Sequence, residues 1–330
     1  MDPQSVVSRV VERVLGDGSV PEVSYKTILT PTSVVFRIDY LAGEKNGTLY
    51  AKLIAENESS IEIQRHRKEF DTTRRVRAAL PTDRELDVVT PAAYLDEIDA
   101  LVTWGVAGHS LQDIIANSQR FRYMMRNAEP ERLSRLAGQW LRRFHGADLL
   151  AGDFDVGKII YDYCAERLDL LARTKDSRVS TDLANLLKRK IADWTEESMV
   201  ALGEKPVLCH NDYSPHNIIA TEQGICVLDF SFSTPGFPVF DLACFWHKIQ
   251  DLKMSPHFGT TGLSAIQRSF LEAYGAEFDL RRPDVKLGMA RLVLSKMLTL
   301  LASSEAGFYR QLENRRRYRK YLGLLKTDFN

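Results

Sequence analysis

Cysteine is scarce in this 330-residue sequence: Cys164, Cys209, Cys226 and Cys244 are the only four, no two are spaced as Cys-x-x-Cys, and they sit mostly in apolar stretches. Such residues read as reduced core thiols, which argues against a disulfide-stapled scaffold and points to a cytoplasmic protein. An excess of either charge is also missing. Lys plus Arg number 44 and Asp plus Glu 44, a balance that argues against wholesale binding to nucleic acid or to an anionic membrane. The longest apolar runs, such as "RLVLSKMLTLLAS", are too short and too charged to span a bilayer. The opening "MDPQSVVSRVVERVLGDG" reads as a short amphipathic helix ending at glycine, without the apolar segment and cleavage site of a signal peptide. Internal repeats and low-complexity tracts are absent.

Residues 22–54 alternate β-branched runs with turn chemistry, "EVSYKTIL", "VVFRIDYL" and "TLYAKLI" separated by "TPTS" and "AGEKNG", which predicts a three-stranded antiparallel meander. A charged helical pattern follows and stops at Pro81. Further strands are expected in "VVTPAAYLDEIDALVTWGVAG". From Ser110 the pattern is helical, including a long stretch from Lys158 to about Leu202 and more helices from Pro238 onward. The boundary falls near Trp104 and Gly105, giving a β-rich part over 1–104 and a mainly helical part over 105–330, an α+β organisation. A 330-residue chain is long enough for each part to have its own core.

Two apolar runs enclose an oddly polar loop, "LCHNDYSPHNIIA", residues 208–220. Buried polar groups left unpaired cost about 1–3 kcal/mol each, so His210, Asn211, Asp212, His216 and Asn217 need partners or a chemical task. The following "NIIA", "TEQG" and "ICVLDF" predict a hairpin. Centred on Gln223, it would set Asn217 directly opposite Asp229 and bring an amide oxygen and a carboxylate together. Two oxygen ligands suit Mg²⁺, which takes few protein ligands and leaves other positions to water and phosphate. Asp212, across the loop, could meet an incoming hydroxyl, an arrangement that suits phosphoryl transfer. Two other readings stay open: ordinary turn chemistry, and a hydrolytic metal held by His210, Asp212, His216 and Asp229, whose spacing does not match the usual zinc motifs.

"HNDYSPHN" followed by "VLDF", and then by "PGFPVFDLACFW", resembles the motifs of the aminoglycoside phosphotransferase and choline kinase superfamily, small-molecule kinases with a protein-kinase-like fold. The resemblance implies a bilobal fold, with a small β-rich N-terminal nucleotide-binding lobe and a larger, mainly helical C-terminal catalytic and substrate-binding lobe. It implies ATP and Mg²⁺. Residue by residue, Asp212 would orient or deprotonate the acceptor hydroxyl, Asn217 and Asp229 would bind Mg²⁺, and His210 and Asp241 would brace the loop; His216 has no clear counterpart. An ATP-anchoring Lys and its Glu partner would be Lys52 and Glu69. The latter is favoured over Glu62 because Thr73, Val76 and Leu80 follow it at helical spacing. Read alone, Lys52 is an edge-strand lysine. The hinge that meets adenine would lie at Val102 to Val106, with Thr103, Trp104 and Val106 as contacts.

Two departures bear on the reading. "TPTS" stands where protein kinases have a glycine-rich turn, leaving Ser33 to cap a phosphate. Choline and ethanolamine kinases typically carry a Glu two residues after the metal-binding Asp, and here that residue is Ser231. From Arg281 to Asn330 there are twelve Lys/Arg against four Asp/Glu. This reads as a solvated face or an anion-binding surface, and it disfavours a polycationic acceptor. If that segment lines the cleft, the expected acceptor is a neutral or anionic small molecule with a hydroxyl, such as a sugar or a phosphorylated or glycolipid precursor. Phe240, Phe245, Trp246, Tyr274, Phe308 and Tyr309 could stack on a sugar face or belong to the core. Alternatives are a choline or ethanolamine kinase, a catalytically silent nucleotide-binding scaffold, and a protein kinase, whose HRD and APE signatures are absent. The protein is expected to be a cytoplasmic monomer or homodimer.

Overall fold

Apolar spacing sets the first element of the computed structural model, α1 (Pro3–Leu15), which buries Val6, Val7, Val10 and Val11. Asp2 caps it by accepting the Ser5 N–H at 3.0 Å, and Gly16, at φ 79°, ends it. The structure describes residues 2–16, 22–30, 33–43, 45–54, 60–80, 83–119, 128–150, 152–202, 206–253, 258–302 and 308–327. The meander follows as β1 (Glu22–Leu29), β2 (Ser33–Ala42) and β3 (Lys45–Ile54), antiparallel throughout. Then come α2 (Ser60–Ala79), β4 (Leu86–Val88), β5 (Pro91–Leu95), β6 (Ala100–Trp104) and β7 (His109–Ser110).

The remaining elements are α3 (Leu111–Gln119), α4 (Glu129–Gly146), α5 (Val156–Arg173), α6 (Thr181–Leu202), β8 (Val207–Cys209), β9 (Ile218–Ala220), β10 (Ile225–Val227), β11 (Thr234–Gly236), α7 (Val239–Lys253), α8 (Thr260–Tyr274), α9 (Pro283–Ala302) and α10 (Phe308–Thr327). The helical stretch expected from Lys158 to Leu202 is two helices. A short 3-10 turn, a left-handed Arg178 and the Ser180 hydroxyl, which accepts the Leu183 N–H, divide them.

Met1–Leu149, His210–Ser233 and Lys248–Gly275 form one compact unit. Its five-stranded sheet has the order β1-β2-β3-β6-β5, so β3 is central and Lys52 is not an edge lysine. Strand alternation gives β3 two faces. Leu49, Ala51 and Leu53 join α1 in an apolar core with Phe36, Ile38 and Val102, while Tyr50 and Lys52 face a cavity on the other side. A second sheet, β4-β10-β9-β7, carries the polar loop. Beneath it α4 and α8 pack so closely that a Cβ on Gly138 would lie 2.2 Å from the Phe270 carbonyl oxygen.

Leu150–Cys209, Thr234–His247 and Ala276–Asn330 form the other unit, with a helical core from α5, α6, α9 and α10. Phe240 and Phe245 are buried, and Trp246 stacks on Phe278 at 5.1 Å. Tyr274, in the first unit, bonds its hydroxyl to His145 Nδ1 at 2.9 Å. The side chains of Glu62, Phe308 and Tyr309 lie outside the described residues. All four cysteines are buried thiols outside any disulfide. Among the described residues, no helix is long and apolar enough to cross a membrane.

Candidate active site

Local sequence explains how the polar loop is held. Tyr213 follows Asp212 and is fully buried; its ring stacks on Trp140 at 5.6 Å and its hydroxyl donates to the Ala137 carbonyl at 2.8 Å. His210 is equally buried. Its Nε2 lies 2.9 Å from the Leu228 carbonyl and its Nδ1 3.3 Å from the Asp212 amide nitrogen, contacts that assign the proton to Nε2 and let Nδ1 accept. Both ring nitrogens are thereby used on the backbone, which leaves the hydrolytic-metal alternative without one of its four ligands. Asn211, at φ 64°, donates to the Phe232 carbonyl at 3.0 Å.

The hairpin register is one residue lower than the centre on Gln223 implies. Ala220 faces Ile225, Ile219 faces Cys226 and Ile218 faces Val227, and the Asn217 carbonyl accepts the Leu228 N–H at 2.9 Å. Asn217 therefore does not sit directly opposite Asp229. The loop holds only Glu222 and Gln223, closed by the Thr221 N–H on the Gly224 carbonyl and the Gly224 N–H on Thr221 Oγ1, so its pivot falls between residues. A Cβ on Gly224 would lie 2.1 Å from the Glu85 carbonyl oxygen, which fixes glycine there. Asp229 has left-handed backbone, φ 64°, tolerated by Asp and sufficient to end the strand pleat. Its carboxylate accepts from Ser231 Oγ at 2.6 Å and meets Lys52 Nζ at 3.4 Å.

These residues converge on one cavity of about 550 Å³ in the first unit. Lys52, Glu69, Ser33, Thr103, Trp104, Val106, Asp212, Asn217 and Asp229 all line it, as does His216. His210 does not, and Asp241 is buried in α7 of the other unit. Lys52 Nζ reaches Glu69 Oε2 at 3.0 Å as well as Asp229. Asn217 spends its amide nitrogen on Asp212, 3.0 Å from both the backbone oxygen and Oδ2, which leaves its amide oxygen as the ligand-type atom. With the Asp229 carboxylate this makes an all-oxygen donor set, the chemistry a hard cation such as Mg²⁺ requires.

Burial works to lower the Lys52 pKa, but attraction to Glu69 and Asp229 outweighs it and leaves it raised. Burial, and then the neighbouring Asp229 charge, push Glu69 up from 4.5 to about 7 despite Lys52. For Asp229, burial works upward, yet Lys52 and the Ser231 hydrogen bonds hold it down at about 2. A carboxylate whose folded pKa is raised contributes stability that is complete below its ordinary value and is lost as pH rises through the folded one. The Glu69 contribution should therefore decline between pH 4.5 and about 7. Denaturant midpoints of the ligand-free protein at pH 5 and pH 8 should show this loss, and Glu69→Gln should flatten the difference.

A profile of the phosphotransferase enzyme family matches residues 36–284. The chain belongs to that family. It is a phosphotransferase acting on a hydroxyl group. No curated protein matches it in sequence. Among solved structures it resembles a putative aminoglycoside phosphotransferase from Ralstonia eutropha at 13% identity and TM-score 0.63, covering 99% of this chain and 98% of that one. A choline/ethanolamine kinase family protein from Mesorhizobium loti is similar at 14% identity and TM-score 0.61, covering 99% and 96%. The ADP-bound aminoglycoside phosphotransferase APH(2'')-Ib is similar at 15% identity and TM-score 0.60, covering 100% and 99%. These likenesses establish a protein-kinase-like fold with an N-terminal sheet region and a larger helical part.

Among the residues around this cavity, His66 carried no signal in the sequence. His66, one turn before Glu69 on α2, is buried yet lines the cavity, with Nε2 3.5 Å from Ser33 Oγ. Ser33 itself is fixed by Thr30, whose hydroxyl accepts the Ser33 N–H at 2.9 Å and donates to its carbonyl at 2.8 Å. The residues between them, Pro31 and Thr32 of the "TPTS" turn, lie outside the described residues. His216 Nδ1 contacts Ser214 Oγ at 2.6 Å and Nε2 lies 3.6 Å from Asp212 Oδ2.

Proposed function

We propose that the protein transfers the γ-phosphate of ATP to a hydroxyl of a sugar-like or other small neutral or anionic metabolite, with Mg²⁺. The observation that carries this reading is the joining of Lys52 to both Glu69 and Asp229 in the cavity that also holds Asp212 and Asn217. Residues 1–104 act as the nucleotide-binding lobe and 105–330 as the catalytic and substrate-binding lobe. Thr103, Trp104 and Val106 meet the adenine, Ser33 caps a phosphate, and Lys52, oriented by Glu69, neutralises phosphate charge. Asn217 and Asp229 hold Mg²⁺, which when bound supplies charge neutralisation at the phosphate oxygens. Asp212 orients the acceptor hydroxyl and takes its proton as the new O–P bond forms. His210 keeps the loop in shape from below. The protein works in the cytoplasm as a monomer or homodimer.

Choline or ethanolamine is the second acceptor class. Ser231 disfavours it, because a hydroxyl bonded to Asp229 stands where those kinases typically place a carboxylate. The deciding experiment measures ADP release from ATP with and without Mg²⁺ across sugars, aminoglycosides, choline and ethanolamine. At least one sugar-like acceptor should stimulate turnover in a Mg²⁺-dependent way. Stimulation by choline or ethanolamine alone would replace the acceptor assignment, and ATP binding without stimulated turnover by any acceptor would favour a silent scaffold.

A further inference from the structure

No described residue of the basic segment near the end of the chain lines the cavity that holds Asp212 and Lys52. In its own unit, one stripe of α10 borders a cavity of about 490 Å³, whose other wall includes Asp176 and Arg178. Arg315, Tyr318, Arg319 and Leu322 follow at intervals of three, one and three residues, which places them on one side of the helix. Tyr318 is buried and donates its hydroxyl to the Ser177 carbonyl at 2.6 Å, which ties α10 to the turn carrying Arg178. Arg178 has left-handed backbone at φ 57°, an uncommon state for a residue with a side chain.

Three guanidinium groups thus border the cavity against one carboxylate, Asp176. Among the described residues none of the three has an ion-pair partner. Arg315 and Arg319, one turn apart, repel each other unless an anion lies between them or near them. Guanidinium forks match phosphate oxygens in geometry and charge. The other lining is mixed, with Leu300 and Leu301 from the end of α9 beside Leu322 as its apolar part and Gln311 and Asn314 as polar groups, and the volume suits a small organic ligand.

We propose that this cavity is a second binding site, for a small phosphorylated metabolite whose phosphate is held by Arg178, Arg315 and Arg319 and whose body rests on the leucines. The three arginines are exposed, but they border a concave cavity with leucines in its wall, a shape that fits a single small molecule better than a flat anionic membrane. The inference is independent of the transfer reaction.

The test uses the full chain with its nucleotide site saturated by a non-hydrolysable ATP analogue and Mg²⁺. Calorimetric titrations compare glucose 6-phosphate and AMP with glucose and inorganic phosphate at constant ionic strength. One of the two organic phosphates should bind saturably and tighter than inorganic phosphate, and glucose should not bind. Arg315→Gln/Arg319→Gln should weaken that binding by about ten-fold or more, since it removes two charge-assisted contacts, while the melting temperature and kinase turnover stay unchanged. Arg178→Gln should weaken it from the other wall. The proposal is overturned if neither organic phosphate binds, if binding is no tighter than for inorganic phosphate, or if the variants bind as the native protein does. Sedimentation with phosphatidylserine vesicles that glucose 6-phosphate and AMP do not compete away would overturn it in favour of a membrane surface.

Discussion

Asp212→Asn is expected to lower kcat by roughly 10²–10⁴-fold, the usual contribution of a positioned general base, while KM for ATP and the melting temperature change little. The side chains are nearly isosteric, and the contacts that shape the loop do not depend on the negative charge. His210 Nδ1 accepts the backbone N–H of residue 212, and Asn217 donates to its backbone oxygen. The Tyr213 anchor is one residue away and untouched. What the variant loses is the carboxylate proposed to accept the hydroxyl proton. Single-turnover kinetics with a stimulating acceptor separate the chemical step from binding. A fall of less than ten-fold in the chemical rate would remove Asp212 from that role.

How much of this arrangement can be read from sequence depends on how local its cause is. β1 matches the run "EVSYKTIL" residue for residue, because alternation and turn chemistry act within a few residues. Lys52 and Glu69, seventeen positions apart, could be paired on paper, since strand and helix periodicities each place a side chain on a face; the structure joins them at 3.0 Å. The hairpin register could not be read so well. Two or three loop residues both suit "TEQG", and the choice depends on the Thr221 and Gly224 hydrogen bonds and on the space beside Glu85.

Tertiary causes leave weaker traces still. Tyr213 shows no outward sign that it stacks on Trp140, seventy-three positions earlier, and His66 lies in a charged helix where nothing distinguishes it from its neighbours. The break between α5 and α6 follows from a left-handed Arg178, a conformation no single-residue propensity assigns to arginine. In each case the deciding interaction is with a residue remote in sequence, or it settles a near-tie between local alternatives. Family resemblance supplied part of what propensity could not, because three spaced motifs constrain a loop, a hairpin and a helix together.

Asp229→Asn is expected to change function and stability together. Turnover should fall by about 10³-fold with a steeply increased Mg²⁺ requirement, as expected when a carboxylate that holds the metal becomes a neutral amide. Stability of the ligand-free protein should fall at pH 7, because the ionised Asp229, held at about 2 by Lys52 and Ser231, favours the folded state above its ordinary pKa; the loss is electrostatic alone. Asparagine tolerates the left-handed backbone at φ 64°, and its amide oxygen can still accept from Ser231. Loss of the charge also removes one of the two influences that push Glu69 up to about 7, so Glu69 should ionise more readily and pair more completely with Lys52. The pH-dependent loss of stability between pH 5 and pH 8 should accordingly be smaller than in the native protein. Lys52→Met combined with Asp229→Asn should reduce turnover by less than the product of the single effects, because each single change already breaks the same contact. Strictly multiplicative losses, or an Asp229→Asn protein as stable at pH 7 as the native one, would show that Asp229 and Lys52 act separately and that the contact between them does not organise the site.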